Sequence, residues 1–374
     1  MTTLVIEGQL VLEDRVAPGR LHVDGPLITG VELDPGVLAG PVIAPGFCDV
    51  HVHGYGGHDA MGEPADLDGM ARGLLTHGVT SFLPTAVSAP LEGLTAFAER
   101  VRAWMPEAPA DGAGPLGFNL EGPFVSHERK GAHDPRFLMA PAAAPPAMVE
   151  ALIPEMRVIT IAPELPGALE LIALLSDRGV AVCLGHSAAD LETSRAGYAA
   201  GATSTTHLFN GMSGIDHHHP GLAVAALTDD KVYVELIADG HHVHPALWPI
   251  VTRTKPRNRL VLVSDGILLG GTDLHSGVLG GLAVEANGGR CVLAGTDRLA
   301  GSLISLDAAV RNLATHRVPL HDAVGAATRN PLDLIGVTDR GRLAAGQRAD
   351  LVQLGSDLRV QRVMRSGEWR FPNA

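Results

Sequence analysis

This chain of 374 residues lacks several things, and each absence excludes a class of protein. Positive charge is in deficit: Lys and Arg total 28 against 41 Asp and Glu, a net charge of −13. A nucleic-acid binder needs a basic surface to displace counterions from phosphates, so that class is excluded. No run of lysines or arginines offers a membrane-facing patch. No apolar run approaches the roughly 20 residues that a membrane helix needs. Cysteine is scarce, and Cys48, Cys183 and Cys291 have no paired spacing. They read as reduced core residues, not as a disulfide frame or a zinc knuckle. The N-terminal segment TTLVIEG has neither the basic start nor the apolar stretch of a signal peptide, so the expected location is the cytoplasm.

What is present is ordinary for a soluble enzyme, with 46% hydrophobic and 18% charged residues. The 45 glycines and 26 prolines suit a fold with many short loops, and the 18 histidines stand out. Short strand-like segments separated by turns occupy both ends: LVIEGQLVLE, GRLHVDG and ITGVELD at the start, and GRLAAGQ, ADLVQLG, VQRVMRSG and EWRF at the close. Neither end is long enough to close a sheet sandwich alone. The two are expected to pair into one small β-sandwich-like domain, 1–44 plus 337–374, with a catalytic domain, 45–336, inserted between them.

The middle alternates apolar strands with stretches of helical period such as LDGMARGLLTHG and ADLETSRAGYAAG, the pattern of a parallel α/β fold. Eight strands are expected: Gly46–His53, Thr80–Thr85, Leu116–Glu121, Val158–Ala162, Ala181–His186, Ser204–His207, Tyr233–Ala238 and Leu260–Asp265. Eight units fit a (β/α)8 TIM-like barrel, with a doubly wound open sheet as the competing architecture. The Ala/Pro-rich stretch Ala140–Ala147 reads as a loop between units.

Chemistry in such a barrel gathers at the C-terminal ends of the strands. His51 and His53 follow the first strand, Glu121 the third, His186 the fifth, His207 the sixth and Asp265 the eighth. In PGFCDVHVHG, residues two apart on a strand share a face, so both imidazoles can reach one ion. Alone, His-x-His is a weak signal. In FNLEGPF, Glu121 ends an apolar strand, where a lone carboxylate is costly; it either binds a metal or pairs with Arg129 or Lys130. LGHSAA and TTHLFNGM each place a histidine at a strand end, and a single such histidine is more often a hydrogen-bonded core residue. Together the set offers four histidines and a carboxylate, enough for two ions bridged by Glu121 or for one ion with an open position. In VLVSDG, Asp265 either caps the next segment or binds the ion and handles the proton of a bound water.

In this order, PGFCDVHVHG, LEGPF, KGAHDPRF, IAPE, GHS, THLFNGM, IADGHHVHP, LVSDG, LAGS, NP and GRLAAGQRADLV resemble the amidohydrolase superfamily over nearly the whole chain, and within it the N-acetylglucosamine-6-phosphate deacetylase family. The resemblance implies hydrolysis of the acetyl amide of an amino-sugar phosphate. It gives Glu121, His186 and His207 a main divalent ion, and His51 and His53 a second ion with Glu121 bridging. Asp265 matches the catalytic aspartate and a metal ligand, and His133 a residue beside the reacting group. Ala132, Asn210, Gly211, His242, Leu299, Ala300 and Gly301 match the substrate pocket. Zinc is the expected metal, with iron, cobalt or manganese also suited to such ligands, and a homodimer is expected.

Two positions depart from the family. His217-His218-His219-Pro220-Gly221 places His218 where the family has the arginine that helps bind the sugar phosphate. Histidine is only partly charged at neutral pH and lacks the guanidinium fork. His218 thus either holds phosphate more weakly, as a donor from across a dimer interface, or marks a different substrate. Gly211 stands where the family has alanine, a small change if only backbone groups act there. The rivals are another amidohydrolase acting on a different N-acyl sugar or small amide, and a non-catalytic barrel protein, which would have no need of Asp265.

Overall fold

The computed structural model describes residues 4–37 and 40–372. Thr2 and Thr3 of the first strand-like segment, and residues 38–39 and 373–374, lie outside the described residues. Eight parallel strands run in sequence order through one sheet: β1 (Phe47–Val52), β2 (Val79–Val87), β3 (Phe118–Glu121), β4 (Met156–Ile161), β5 (Ala181–Leu184), β6 (Ser204–Thr205), β7 (Tyr233–Leu236) and β8 (Leu260–Leu262), with a ninth short strand, Gly114–Pro115, beside β2. A parallel bridge between Val52 and Gly266 joins the first strand to the turn after the last, so the sheet curls into a nearly closed barrel and the open-sheet alternative falls away. β2 is buried along its whole length, as expected of a strand covered on both faces.

Helices follow the strands on the outside. The first, α1 (Pro64–Thr76), buries Leu67, Met70, Ala71, Leu74 and Leu75, the i, i+3, i+4, i+7 stripe of an amphipathic helix. Its start is fixed by Pro64 in the first turn and by the Asp66 carboxylate, which accepts the Glu63 N–H at 3.1 Å. Inside the barrel wall, Cys48, Val50, Leu83, Val158, Cys183, Val261 and Val263 pack with Leu332, Leu334 and Ile335. All three cysteines are free and buried.

Both chain ends contribute to one seven-stranded sheet. Its strands run in the order Glu368–Phe371, Val360–Arg365, Leu351–Leu354, Val42–Pro45, Leu4–Val11, Val16–Asp24 and Leu27–Leu33. The two ends meet where Leu351–Leu354 pairs antiparallel with Val42–Pro45. Ile6, Leu10, Leu21, Ile28, Ile43, Leu351 and Met364 form its core.

Two local expectations change, and one sheet is added. GRLAAGQ forms no strand: Gly341 and Gly346 take φ of +84° and +88°, and the segment is a series of turns. Ala140–Ala147 is not all loop, since a 3-10 turn spans Pro141–Ala143 and a helix starts at Pro146. A three-stranded antiparallel sheet (Ser276–Leu279, Leu282–Asn287, Arg290–Leu293) is inserted after β8. Its turns, Gly280-Gly281 and Gly288-Gly289, carry the two-residue hairpin signal in plain view.

Candidate metal centre

The six residues expected at strand ends converge at the C-terminal mouth of the barrel, and barrel closure itself brings two of them together. The Asp265 N–H donates to the His51 carbonyl at 2.9 Å, and the His53 N–H to the Gly266 carbonyl at 2.8 Å. Glu121 lies in the middle. Its Oε1 is 3.0 Å from His186 Nε2 and 2.8 Å from His207 Nε2. Its Oε2 is 3.3 Å from His53 Nε2. Asp265 Oδ1 is 3.2 Å from His53 Nε2 and 3.6 Å from His51 Nε2. Among the described residues Glu121 pairs only with histidines, not with Arg129 or Lys130.

Several strands end two or three residues earlier than their apolar pattern does, and the backbone explains this. His186, His207 and Asp265 have φ of +45°, +23° and +48°, left-handed values that leave the strand geometry. Such a conformation costs about 1–3 kcal/mol per residue and persists where the surroundings enforce it. Two glycines permit the close packing above His186. Gly131 and Gly211 have φ of +55° and +58°, and a Cβ at either would come within 2.8 Å of the His186 ring. The glycine at 211 is therefore a larger departure than its backbone role alone implied.

The other ring nitrogens fix the tautomers. His51 Nδ1 faces Glu235 Oε2 at 3.1 Å, His53 Nδ1 the Thr85 carbonyl at 3.1 Å, and His186 Nδ1 the Arg129 carbonyl at 2.8 Å. These partners only accept, so each Nδ1 carries the proton and each Nε2 offers a lone pair to the centre. His51 Nε2 and His53 Nε2 then face one another at 3.3 Å, and His186 Nε2 lies 3.1 Å from His207 Nε2, whose ring has no partner at Nδ1 among the described residues. The His51 and His53 lone pairs, so close and beside two carboxylates, require positive charge between them, and the whole donor set fits divalent cations.

The acid–base behaviour agrees. Burial opposes charge on His51, yet Glu121 and Glu235 outweigh it and hold its pKa well above the usual value. Burial is likewise outweighed at His53 by Asp265 and Glu121, which bring it to about 9. Burial would raise the pKa of Asp265, but the His53 hydrogen bond and the nearby imidazoles hold it at about 2. The cluster retains positive charge, as protons when no metal is bound.

His133 differs. Burial lowers its pKa to about 4, so it is neutral. Its Nδ1 accepts the Ser88 N–H at 3.2 Å, which places the proton on Nε2, 3.3 Å from Glu121 Oε2. Ligand atoms of Glu121, His133 and His186 lie within 4.8 Å of one another. Even so, this tautomer makes His133 a hydrogen-bond donor toward the centre, whereas the His207 Nε2 lies closer to Glu121.

A cleft of about 340 Å³ opens over these groups, within the usual range for small ligands. It is lined by Ala132, His133, Asn210, Gly211, His242, Leu299 and Gly301 as expected, while Ala300 is buried beside it. His218 lies elsewhere, in a neighbouring cleft with Arg129, Asp216 and His219. The arginine lining the main cleft is Arg298, 3.5 Å from the Gly131 carbonyl, which the sequence pattern did not single out. Glu235 was also passed over. It carries the same signal as Glu121, a carboxylate interrupting an apolar strand.

The amidohydrolase family model matches residues 42–370. The chain is 39% identical to an N-acetylgalactosamine-6-phosphate deacetylase of Escherichia coli O157:H7, covering 95% of this chain and 93% of that protein. It is 38% identical to an N-acetylglucosamine-6-phosphate deacetylase of Bos taurus, over 90% of this chain and 85% of the relative. In structure it is similar to an aspartate-to-alanine variant of N-acetyl-D-glucosamine-6-phosphate deacetylase from Mycobacterium smegmatis in complex with N-acetyl-D-glucosamine-6-phosphate. The TM-score is 0.91, with 34% identity, 99% of this chain covered and 100% of the other. With the family model spanning most of its length, and its strand-end histidines and carboxylates gathered in one barrel mouth, the chain belongs to the amidohydrolase family.

Proposed function

We propose that this protein is a metal-dependent deacetylase that hydrolyses N-acetylglucosamine 6-phosphate to glucosamine 6-phosphate and acetate. The observation that carries this is the convergence of Glu121, His186, His207, His51, His53, Asp265 and His133 at the barrel mouth, through contacts of 2.8–3.6 Å. Asp265 is an ionised acceptor, and His133 is a neutral donor on the same centre. Glu121, His186 and His207 would hold one divalent ion, and His51 and His53 a second, with Glu121 between and Asp265 beside it. Zinc is the metal we favour. A divalent ion bound there supplies Lewis-acid polarisation and lowers the pKa of water. Asp265 takes the proton of the attacking water and passes it to the amide nitrogen, which must be protonated to leave. The His133 Nε2–H donates to the oxyanion that develops on the acetyl carbonyl. Water adds across the C–N bond, with the acyl carbon leaving as acetate and the nitrogen as the sugar amine.

Ala132, Asn210, Gly211, His242, Leu299, Ala300 and Gly301 are assigned to the sugar. Arg298 is our candidate for the phosphate within the same subunit, with His218 reaching it across a homodimer interface. A second reading is the galactosamine epimer, favoured by the name of the Escherichia coli relative. We place the enzyme in the cytoplasm; among the described residues, no helix is long and apolar enough to cross a membrane. We further propose the division into a small domain, 1–44 plus 337–374, and a barrel domain, 45–336. The test is kcat/KM for N-acetylglucosamine, its 6-phosphate and N-acetylgalactosamine 6-phosphate, on enzyme of measured metal content. A clear preference for the glucosamine phosphate supports the assignment. Equal rates with the unphosphorylated sugar overturn it, and a preference for the galactosamine phosphate transfers it to the epimer.

A further inference from the structure

We infer that Glu235, on β7, is the positioning residue that makes His51 a metal ligand, so that the second ion's site depends on a carboxylate that does not touch the ion. This rests on the two-ion reading above. Glu235 is fully buried and forms no ion pair with a lysine or arginine among the described residues. Its neighbours are donors. Oε2 accepts from His51 Nδ1 at 3.1 Å and from the His207 N–H at 3.1 Å, and Cys183 Sγ lies 3.9 Å from Oε1. A buried carboxylate needs donors, and among these donors His51 is the side chain that also reaches the centre.

The contrast with the other ligands makes the role specific. His53 and His186 donate their Nδ1–H to neutral carbonyls, of Thr85 and Arg129. Only His51, of these three, donates to a carboxylate. Such a partner fixes the ring, holds the proton on Nδ1 and makes Nε2 a stronger electron-pair donor. The charge is therefore directed at the His51/His53 position. The Glu121/His186/His207 position receives from Glu235 only an anchor for the His207 backbone.

The Gln variant separates this from a merely structural role. In Glu235→Gln one amide oxygen still accepts from His51 and from the His207 N–H, while the charge is gone. The experiment is titration of metal-free protein with Zn²⁺ and Co²⁺, reading stoichiometry and both dissociation constants. Wild type is expected to bind two ions. Glu235→Gln should bind the first with unchanged affinity, which also reports correct folding, and the second about 10–100-fold more weakly. Two ions bound with wild-type affinities in Glu235→Gln overturn the inference and leave the two-ion reading standing. One ion bound by wild type overturns both. Should Glu235→Gln not fold, Glu235→Asp decides, because it withdraws the carboxylate from His51 by one methylene. Selective weakening of the second ion there supports the role, and unchanged second-ion affinity overturns it.

Discussion

Two layers of the same barrel follow opposite physics. In one, Cys48, Val50, Leu83, Cys183 and Val261 pack in one cluster with Leu332 and Ile335, with their backbones in regular strands. In the other, a few residues further along the same strands, carboxylates and imidazoles crowd within 2.8–3.6 Å, and three residues adopt left-handed φ. The apolar layer gains free energy by leaving water, by about 1.5–3 kcal/mol for each large side chain. The charged layer holds strain and unbalanced lone pairs that only a bound cation or protons relieve. Stability and chemistry are thus separated along the strand axis, and substitutions in the two layers should affect different measurements.

The largest effect is expected at Asp265. Asp265→Asn keeps the shape of the site and loses the proton acceptor, so kcat should fall on the order of 10⁴-fold, the upper end for general acid–base catalysis. Metal content and Tm should stay near wild type; a variant that still turns over at a tenth of the wild-type rate would remove Asp265 from the mechanism. Leu83→Ala probes the apolar layer. It should lower unfolding free energy by about 2–5 kcal/mol in denaturant titration, with kcat per folded molecule unchanged. Lost turnover at full folding would show that the layers are not independent.

Two smaller predictions sharpen the picture at the mouth. Arg298→Ala and His218→Ala should raise KM for the 6-phosphate more than for the neutral sugar. The Arg298 effect should be the larger, because a guanidinium carries a fixed charge and a fork. Equal increases on both substrates would dissociate either residue from phosphate. Gly211→Ala forces a Cβ toward His186 at a positive φ, so Tm should drop by a few degrees, reflecting the roughly 1–2 kcal/mol cost of a left-handed backbone in a residue with a Cβ. An unchanged Tm would mean that the loop relaxes.

Much of this was legible in the sequence, and the reasons are local. All eight barrel strands were readable because buried parallel strands are continuous apolar runs. The six site residues stood out because a charged or imidazole side chain ending such a run needs a partner. The misses also have local causes. GRLAAGQ looks like strand from composition, yet glycines at 341 and 346 with positive φ make it turns. The inserted sheet after β8 breaks the strand–helix alternation of the barrel, although its paired glycines mark both hairpins.

The sequence by itself determined the residue types of the site and their placement at strand ends, since alternation along a strand and burial of apolar runs are short-range rules. It could not decide what each histidine does. His51 and Glu235 are 184 residues apart, and His133 is 45 residues from Ser88. Yet those contacts decide that one ring turns a lone pair toward the centre and the other an N–H. A histidine has two nitrogens, and the role of one is set by what the other touches. That second contact exists only once the barrel has closed.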